Sequence, residues 1–396
     1  MSENLISSVH RLLLGNNEVL STDFRTDISK IIIKSFQAPR GKSEMSSEIN
    51  MEEIEAYAGG ILGHMVGAAT VVCSDLAHKL GLYGHLAGRG GMTADALAAA
   101  AGTNPRLTRE LLDQQASAGV LAFDAEADTY ELSDAGAMVM AEQHSPAWLA
   151  GGLGAVRAMY MGLDQVEAAF RGDGGVAWGD HHPCLFDGTL EFFRPCYEHH
   201  LVQEFIPALD GGEARIANGA VVADVGCGAG LSTLTMATAY PDSTFVGIDY
   251  HAPSIDMARA AAHEQGLTNV TFETESATSY QGSYDLVCFF DCMHDMGDPV
   301  GIAEHAKSQL SDSGSVMLIE PFAFDTRSEN HAGLGGAFYG FSSFFCTPCS
   351  LSQEVGRGMG AQAGEPGMSA VFAEAGYGSF GRISESPTNI VYEASV

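Results

Sequence analysis

The stretch that decides the fold is Val221-Val222-Ala223-Asp224-Val225-Gly226-Cys227-Gly228-Ala229-Gly230. Its first half is an apolar run typical of a buried strand, and its second half places glycine at every other position. Residues 231–239 then show a helical pattern, so the chain passes from a strand through glycines into a helix. Glycines at such a turn let the backbone approach a ligand closely, and the free N–H groups at the helix start point toward that ligand.

A second strand ends in an acid, which narrows the class of ligand. Residues 244–248 are apolar and strand-like, and Asp249 follows them directly. A carboxylate at that strand end can accept both hydroxyls of a ribose. The glycine pattern alone also fits a plain tight turn. The strand, the glycines, the helix and Asp249 together predict a nucleoside-type ligand.

Composition and charge limit the class of protein and the partners it can have. The chain has 396 residues, of which 46% are hydrophobic and 17% are charged, which is typical of a soluble globular protein with two domains. Its formal net charge of −31 repels phosphates, so nucleic acid and anionic membranes are not expected as partners. Acidity that serves only solubility is the alternative interpretation of the charge.

The cysteines indicate a reducing compartment. All eight are scattered, and several lie inside apolar runs, which favours reduced thiols in the cytoplasm. Cys346 and Cys349 have the spacing of a metal or redox pair, but no second pair completes a zinc site. We therefore predict no metal. The longest apolar segment, residues 59–73, is too short to cross a bilayer, and we expect it to form a buried helix.

Four segments are predicted along the chain. Residues 1–55 form an N-terminal extension, with organelle targeting as the less favoured alternative because acids interrupt its basic residues. Residues 56–145 show helices at 61–80, 94–101 and 105–118, strands at 120–123 and 129–132, and a further helix after Ser133. This order is that of a winged helix-turn-helix. Residues 146–212 are connecting helices and a pocket wall, and residues 213–396 form the ligand-binding domain.

The winged-helix segment carries too little positive charge for DNA. Residues 88–145 contain only Arg89, Arg106 and Arg109 as basic groups, against nine acids. Two of those acids, Glu110 and Asp113, lie on the helix that would enter a DNA groove. We therefore expect this domain to serve as a pairing surface or a lid.

Candidate substrate residues precede the glycine stretch. An aromatic and histidine-rich loop contains Trp178, and the segment that follows contains Arg194 and Tyr197. Aromatic rings with polar tips suit a small-molecule pocket, while a packed interface with satisfied histidines is the alternative.

From residue 220 onward, strands and helices alternate. Strands are predicted at 221–225, 244–248, 270–273, 284–290, 315–320, 379–384 and 389–393. Such alternation gives a parallel sheet covered by helices on both faces, with ligands at the carboxyl ends of the strands. An irregular insertion at residues 323–350, which includes Phe338, is expected to cover the pocket.

Three motifs resemble one known family, the class I S-adenosylmethionine-dependent methyltransferases. They are the stretch 224–230, the segment Gly247-Ile248-Asp249-Tyr250 and residues 284–299, and the resemblance covers about residues 215–395. With the front half included, the chain is similar to bacterial winged-helix methyltransferases. The resemblance implies a Rossmann-like, seven-stranded α/β methyltransferase domain preceded by a mostly helical winged-helix domain. It further implies S-adenosylmethionine as cofactor, a small-molecule acceptor and a homodimer paired through the winged-helix domain.

The resemblance also implies roles for particular residues. The cofactor would contact Asp224, Gly226, Cys227, Gly228, Gly230, Asp249, Tyr250, Ser276, Ala277, Phe290 and Asp291. The family often has an aspartate near position 276, and this chain does not, so the adenine contact departs from the pattern.

The segment around His294 implies a catalytic base. His294-Asp295-Met296-Gly297-Asp298 resembles the His-Asp-Trp-x-Asp segment of small-molecule O-methyltransferases, in which the histidine is the base. Glu320 resembles the acid that steadies such a histidine. Met296 replaces the family's tryptophan, and a purely structural turn histidine is the alternative. Methylation at oxygen is favoured, with nitrogen and sulfur left open.

Two other classes of function remain to be weighed. A winged-helix transcriptional regulator that only senses a ligand is disfavoured by the acidic recognition helix. A dinucleotide oxidoreductase would carry Gly-x-Gly-x-x-Gly, whereas here the third glycine, Gly230, falls one position early.

Overall fold

The computed structural model describes residues 50–172 and 174–396. The chain divides into two compact units, the first ending at Ala137 and the second beginning at Met138. The predicted extension, residues 1–55, lies almost entirely outside the described residues. The predicted segment boundaries at residues 145 and 212 stay predictions.

The first unit has the element order of a winged helix. Its elements are α1 (Met51–Lys79), α2 (Leu82–Leu86), α3 (Ala94–Ala101), α4 (Pro105–Ser117), β1 (Ala122–Asp124), β2 (Thr129–Glu131) and α5 (Asp134–Met140), the last of which continues into the second unit. The hydroxyl of Thr93 caps α3 by accepting from the N–H of Ala96 at 3.2 Å, as the sequence predicts. Strands β1 and β2 pair antiparallel, with Phe123 opposite Tyr130.

Helix α1 differs from the prediction in both length and burial. It begins at Met51 instead of residue 61, because the Asn50 side chain accepts from the N–H of Glu52 at 3.0 Å and caps the first turn. The prediction of a buried helix is wrong. Apolar side chains along its length are exposed, among them Tyr57 at 76% and Met65 at 62%.

The same helix passes a test for membrane spans by length and composition. Of the residues described, only the stretch Glu52–Lys79 does so, with a mean hydropathy of 1.4 and 6% of its most apolar window buried. An exposed apolar helix of this kind needs a covering surface.

The second unit begins with helices that lead to the sheet. They are α6 (Leu153–Met161), α7 (Leu163–Phe170), α8 (Cys184–Cys196), a π-helix (Tyr197–Phe205), α9 (Ile206–Ala208) and α10 (Gly212–Ala217), with 3-10 turns at Ala150–Gly152 and Trp178–Asp180. The segment that carries Arg194 and Tyr197 is therefore helical, in line with the predicted connecting helices. Pro195 lies inside α8 and has no N–H to donate, and the chain continues in the wider π-helical turns directly after it.

The sheet and its helices confirm the predicted fold class. The elements are β3 (Val221–Val225), α11 (Leu231–Ala239), β4 (Thr244–Asp249), α12 (Ala252–Gln265), β5 (Val270–Thr274), β6 (Tyr284–Phe290), α13 (Pro299–Gln309), β7 (Leu310–Pro321), α14 (Gly335–Phe341), α15 (Thr347–Ser352), α16 (Gly364–Glu374), β8 (Ser379–Glu385) and β9 (Asn389–Ser395). The seven strands lie in the order β5-β4-β3-β6-β7-β9-β8. Strand β9 pairs antiparallel with β7 and with β8, and the other neighbouring strands pair parallel.

The order of the strands places the ligand site. Strands β3 and β6 are hydrogen-bonded neighbours in the centre of the sheet, although β4 and β5 lie between them in the chain. The strand order reverses there, and such a switch point opens a crevice at the carboxyl ends of the strands. Buried side chains pack on both faces of the sheet, with Phe289 in one cluster and Phe245 in the other.

The insertion at residues 323–350 is not irregular, as the sequence suggested. It contains a 3-10 turn at Glu329–His331, helix α14, a π-helix at Ser342–Cys346 and the start of α15. Its phenylalanines recur at helical spacing, which places several of them on one face.

Candidate active site

The glycine loop after β3 requires glycine for two different reasons. All three glycines have positive φ, at 78° for Gly226, 53° for Gly228 and 80° for Gly230. A Cβ on Gly226 would lie 2.7 Å from the Sγ of Cys292, while a Cβ on Gly228 would meet no atom within 4 Å. A Cβ on Gly230 would lie 2.7 Å from the Phe272 ring. Gly228 therefore leaves open space at a cavity, whereas Gly226 and Gly230 permit close packing against Cys292 and Phe272.

The Asp249 carboxylate is tied to the glycine loop. Its Oδ2 accepts from the N–H of Gly228 at 2.9 Å, and its Oδ1 accepts from the N–H of His251 at 2.8 Å. Burial raises the pKa of Asp249, and these two backbone hydrogen bonds partly offset the effect. Each oxygen keeps a second lone pair, so the carboxylate can still accept two hydroxyl groups from a ligand.

Asp224 is a buried carboxyl with one unsatisfied oxygen. Its Oδ2 accepts from the hydroxyls of Ser232 at 2.7 Å and Thr233 at 2.6 Å. Among the described residues, its Oδ1 has no hydrogen-bond partner. Burial raises the pKa of Asp224 to about 6. A cationic ligand group or an ordered water would satisfy such an oxygen.

The main cavity has a volume of about 550 Å³ and lies at the carboxyl ends of the parallel strands. Of the predicted residues, it is lined by Gly226, Cys227, Gly228, Asp249, Tyr250, Ser276, Ala277, Phe290, Asp291, Trp178 and Tyr197. Asp224, Gly230 and Glu320 were predicted for the site but do not line this cavity. We call it the donor cavity.

The donor cavity also contains residues that the sequence reasoning missed. Among them are Glu275, Asp295, Asp298, Gln353, Glu354 and Val355. Glu275 directly follows β5, so its position after a parallel strand was a usable signal. Gln353, Glu354 and Val355 come from a loop remote in sequence. The Gln353 side chain accepts from the N–H of Gly297 at 2.9 Å, which ties that loop to the His294 segment.

Asp291 sits in a strained and fully paired position at the end of β6. Its φ of 53° is unusual for a non-glycine residue. Its carboxyl accepts from the Tyr197 hydroxyl at 2.7 Å and from the Asn389 amide at 2.7 Å. Burial raises the pKa of Asp291 well above its ordinary value. Tyr197 therefore holds Asp291 in place as well as lining the cavity.

His294 and Glu320 form a buried pair, each only 4% exposed. The His294 Nδ1 lies 2.5 Å from Oε2 of Glu320, whose other oxygen accepts from the N–H of Met293 at 3.1 Å. The His294 Nε2 lies 3.3 Å from the Sγ of Cys346. Burial alone lowers the pKa of His294, but Glu320 and then Cys346 outweigh it and hold the pKa well above 6.5.

A second, smaller cavity of about 70 Å³ contains His294. Its lining includes Phe338, a predicted substrate residue, together with Cys346. Trp178, Thr189, Phe193, Asp291 and Asp295 line both cavities. The two spaces therefore adjoin, and we call the smaller one the acceptor cavity.

Arg194 lies elsewhere. Its guanidinium donates to Glu191 at 2.6 Å and to Glu198 at 2.8 Å, and it lines neither cavity. The structure thus places this predicted substrate residue in an ion-pair network.

Within the described parts of the chain, no group of three or more His, Cys, Asp or Glu side chains is arranged to hold a metal ion.

The donor cavity fits S-adenosylmethionine on two observations. Gly226 and Gly228 both line it, and a Cβ on Gly228 would stand in open space, so the loop backbone is accessible to a ligand. Asp249 offers two acceptor oxygens suited to a ribose.

Comparison with known proteins agrees with this site. A family described as "Methyltransferase domain" matches residues 216–334, and an "Rv2258c-like winged HTH domain" matches residues 67–142. A tRNA (guanine-N(7)-)-methyltransferase of Yersinia enterocolitica is 33% identical over 119 residues, which cover 28% of this chain and 46% of that protein. The chain thus spans about half the length of the curated relatives that it matches first.

Solved structures share the fold over most of the chain. A putative O-methyltransferase from Nostoc punctiforme has a TM-score of 0.64 at 18% identity, covering 89% of this chain and 99% of that one. Human N-acetylserotonin methyltransferase, solved in complex with S-adenosylmethionine, has a TM-score of 0.62 at 17% identity, with 89% and 99% covered.

These matches confirm the resemblance that the three motifs carry, the enzyme class and the cofactor. The chain belongs to the class I S-adenosylmethionine-dependent methyltransferases that carry an N-terminal winged-helix domain.

Proposed function

We propose that the protein transfers a methyl group from S-adenosylmethionine to an oxygen atom of a small molecule. The observation that carries the proposal is the His294–Glu320 pair beside the acceptor cavity, which adjoins the donor cavity. A hydroxyl must lose its proton during methyl transfer, and a positioned histidine is suited to take it. Nitrogen and sulfur acceptors are the alternatives.

The donor supplies a methyl group that is already activated by the positive charge of its sulfonium. The chain therefore has to align the two reactants and to receive a proton. We assign the holding of the ribose to Asp249 and the glycine loop, and the wall beside the reacting methyl to Phe290 and Asp291. Tyr197 keeps Asp291 in position through its hydroxyl.

His294 is arranged as a base held by an acid. Glu320 accepts from Nδ1, which fixes the tautomer and leaves Nε2 for the acceptor hydroxyl. The Cys346 thiol contacts Nε2 at 3.3 Å, so an acceptor would have to replace that contact. Two structural neighbours, a putative O-methyltransferase and a mitomycin 7-O-methyltransferase, support oxygen as the acceptor atom.

The test uses donor carrying a labelled methyl group and a library of small hydroxyl, amine and thiol compounds. The carbon chemical shift of the transferred methyl identifies the acceptor atom. With an acceptor in hand, we expect His294→Gln to lower turnover by roughly 100-fold or more, the usual contribution of a general base, with little change in donor affinity.

The matched control is His263→Gln, on the exposed face of α12. We expect it to leave both turnover and donor affinity unchanged. Retention of turnover in His294→Gln within about threefold would mean that alignment alone suffices or that the base lies elsewhere.

Methylation of tRNA is a second candidate, because curated relatives with that activity match part of the chain. The charge argues against it, since the chain carries 50 acidic against 19 basic residues. Helix α4, which a DNA-binding winged helix would use for recognition, pairs its Arg106 with Glu110 on its own surface. Incubation of the protein with labelled donor and total tRNA decides between the two, and label in the RNA would favour this candidate.

We further propose that the protein is a homodimer paired through helix α1. The exposed apolar side chains of α1 include Tyr57, Ile61 and Met65. A bilayer surface is the less suitable cover, because helices that lie on anionic membranes carry Lys and Arg, whereas α1 begins with Glu52, Glu53 and Glu55. A second copy of the same helix can cover the apolar face without that repulsion.

Analytical ultracentrifugation of the full chain tests this pairing. We expect a dimer that Met65→Glu dissociates, while the equally exposed Met161→Glu in the second unit does not. A monomeric wild-type chain that sediments with anionic vesicles would instead assign α1 to a membrane.

A reducing compartment such as the cytoplasm is also proposed. All eight cysteines are free thiols, and six of them are buried. Fractionation of cells that express the full chain tests the location, and recovery outside the cytoplasmic fraction would contradict it.

A further inference from the structure

Six aromatic rings line the acceptor cavity, together with aliphatic and polar side chains. The rings are those of Trp178, Phe192, Phe193, Phe338, Phe341 and Phe345. The rings come from two places in the chain, α8 with the loop before it and the insertion at residues 323–350. Phe192 and Phe341 meet across that divide in an edge-on contact, with ring centroids 6.0 Å apart. The faces of aromatic rings carry negative potential, which attracts cations.

One carboxylate at the junction of the two cavities lacks a side-chain partner. Asp291 and Asp295 both line the two cavities, but Asp291 is already paired with Tyr197 and Asn389. No side chain in the described part of the chain donates a hydrogen bond to Asp295, which is only partly buried and faces the open space. Asp295 is therefore free to meet a ligand.

Among the side chains around Asp295, His294 favours its ionised form, but burial of the carboxyl outweighs this effect. Among the described residues, no lysine or arginine lines either cavity, whereas Asp249, Glu275, Asp298 and Glu354 add further acids to the donor cavity. A carboxylate or phosphate on the acceptor would meet no lysine or arginine there and would face several carboxylates, which is costly in a partly desolvated site. A cation would gain both the carboxylate and the ring faces.

We propose that the acceptor carries a positively charged nitrogen and that Asp295 is its counter-ion in the acceptor cavity. The inference rests on the proposed function, since it names the class of molecule that this same site methylates. Asp295 then acts as a specificity-determining residue, and His294, its neighbour in the chain, would receive the proton from the reacting hydroxyl. Burial raises the pKa of Asp295 to about 7, and a bound cation would favour the ionised form.

A competing explanation assigns Asp295 to the donor alone, whose sulfonium is also a cation. The two explanations make different predictions for acceptors that bind while the donor site holds a molecule without a sulfonium. If Asp295 serves only the sulfonium, its loss weakens S-adenosylmethionine relative to S-adenosylhomocysteine and leaves the charge preference of the acceptor cavity unaffected.

The test therefore measures binding to the full chain saturated with S-adenosylhomocysteine, which has no sulfonium. The probes are three phenols of matched size, namely tyramine with an ammonium group, 4-ethylphenol with none and 3-(4-hydroxyphenyl)propionate with a carboxylate. We expect tyramine to bind at least about tenfold more tightly than 4-ethylphenol, and the propionate to bind more weakly than either, as a partly desolvated ion pair predicts.

Asp295→Asn keeps the shape of the side chain and removes its charge, and we expect it to bring tyramine within about threefold of 4-ethylphenol. The matched control, Asp242→Asn, removes an exposed acid in the turn before β4, and we expect it to keep the preference. Binding of the propionate as tight as that of tyramine, an unchanged preference in Asp295→Asn, or no binding of any probe would overturn the inference.

Failure of the proposed function would look different. A phenol that binds with the expected preference but never receives a labelled methyl group from S-adenosylmethionine would refute oxygen methylation and leave the charge preference intact. Methylation of neutral or anionic phenols in preference to tyramine would support the proposed function and overturn this inference.

Discussion

Replacement of Asp249 by asparagine tests the donor site most directly. In the structure each carboxylate oxygen accepts one backbone N–H, from Gly228 at 2.9 Å and from His251 at 2.8 Å. Asparagine can reproduce one of these acceptors, but its NH₂ group must face an N–H donor on the other side. The substitution thus removes one charge-assisted acceptor from the ribose and disturbs one anchor of the glycine loop.

The expected loss follows from these contacts. A hydrogen bond to a charged group contributes roughly 1.5–3 kcal/mol, so Asp249→Asn should weaken donor binding by about 10- to 100-fold. Asp249→Ala removes both acceptors and leaves both backbone N–H groups without a partner, and we expect a loss of roughly 3–6 kcal/mol.

Isothermal titration calorimetry with S-adenosylmethionine measures these losses. Thermal melting of each variant without ligand verifies that it is folded, and Asp242→Asn serves as the charge-matched control at an exposed turn. A folded Asp249→Asn variant that binds the donor within about twofold of the wild type would refute the assignment of Asp249 to the ribose.

Two further predictions concern the base and the glycine loop. Because Glu320 and Cys346 hold the pKa of His294 well above 6.5 and only the neutral imidazole accepts a proton, kcat/KM should rise with pH on the alkaline side of 6.5. Glu320→Gln removes the anion, so its profile should move to lower pH while maximal turnover falls, and an unmoved profile measured over the same pH range would contradict the pairing. Gly230→Ala should destabilise the fold by roughly 2–5 kcal/mol in urea denaturation, since it adds left-handed strain and a Cβ that lies 2.7 Å from the Phe272 ring. Gly266→Ala is its control, because φ there is +67° but no atom lies within 4 Å of an added Cβ. An equal loss of stability in both variants would show that packing at Gly230 is unimportant.

Much of the second unit could be predicted from the sequence, because its strands are buried on both faces. The bounds of β3, β6 and α11 coincide with the predicted residues 221–225, 284–290 and 231–239. A strand in the middle of a parallel sheet must be apolar throughout, and a glycine turn must follow it where a ligand approaches, so both signals are local. The bounds of α3, residues 94–101, were local in the same way.

Local patterns failed where the environment is decided by distant segments. The apolar content of α1 predicted burial, but burial depends on whether another surface covers the helix, and seven of its large apolar side chains are exposed. The π-helical turns after Pro195 were not predicted either, because the sequence gives no local signal for the change from α8 to a wider helix. The insertion at residues 323–350 is partly helical, and its Phe338, Phe341 and Phe345 line the acceptor cavity.

The sequence by itself determined the sheet, the glycine loop, the acid at Asp249 and the methyltransferase fold that binds the methyl donor. Those features depend on residues that are neighbours in the chain or that stand at the ends of successive strands. Only the tertiary structure decided which side chains meet, because each pairing joins segments far apart. It brought Tyr197 to Asp291 and Cys346 to His294, it withdrew Arg194 into an ion-pair network, and it left Asp295 without a side-chain partner between the two cavities.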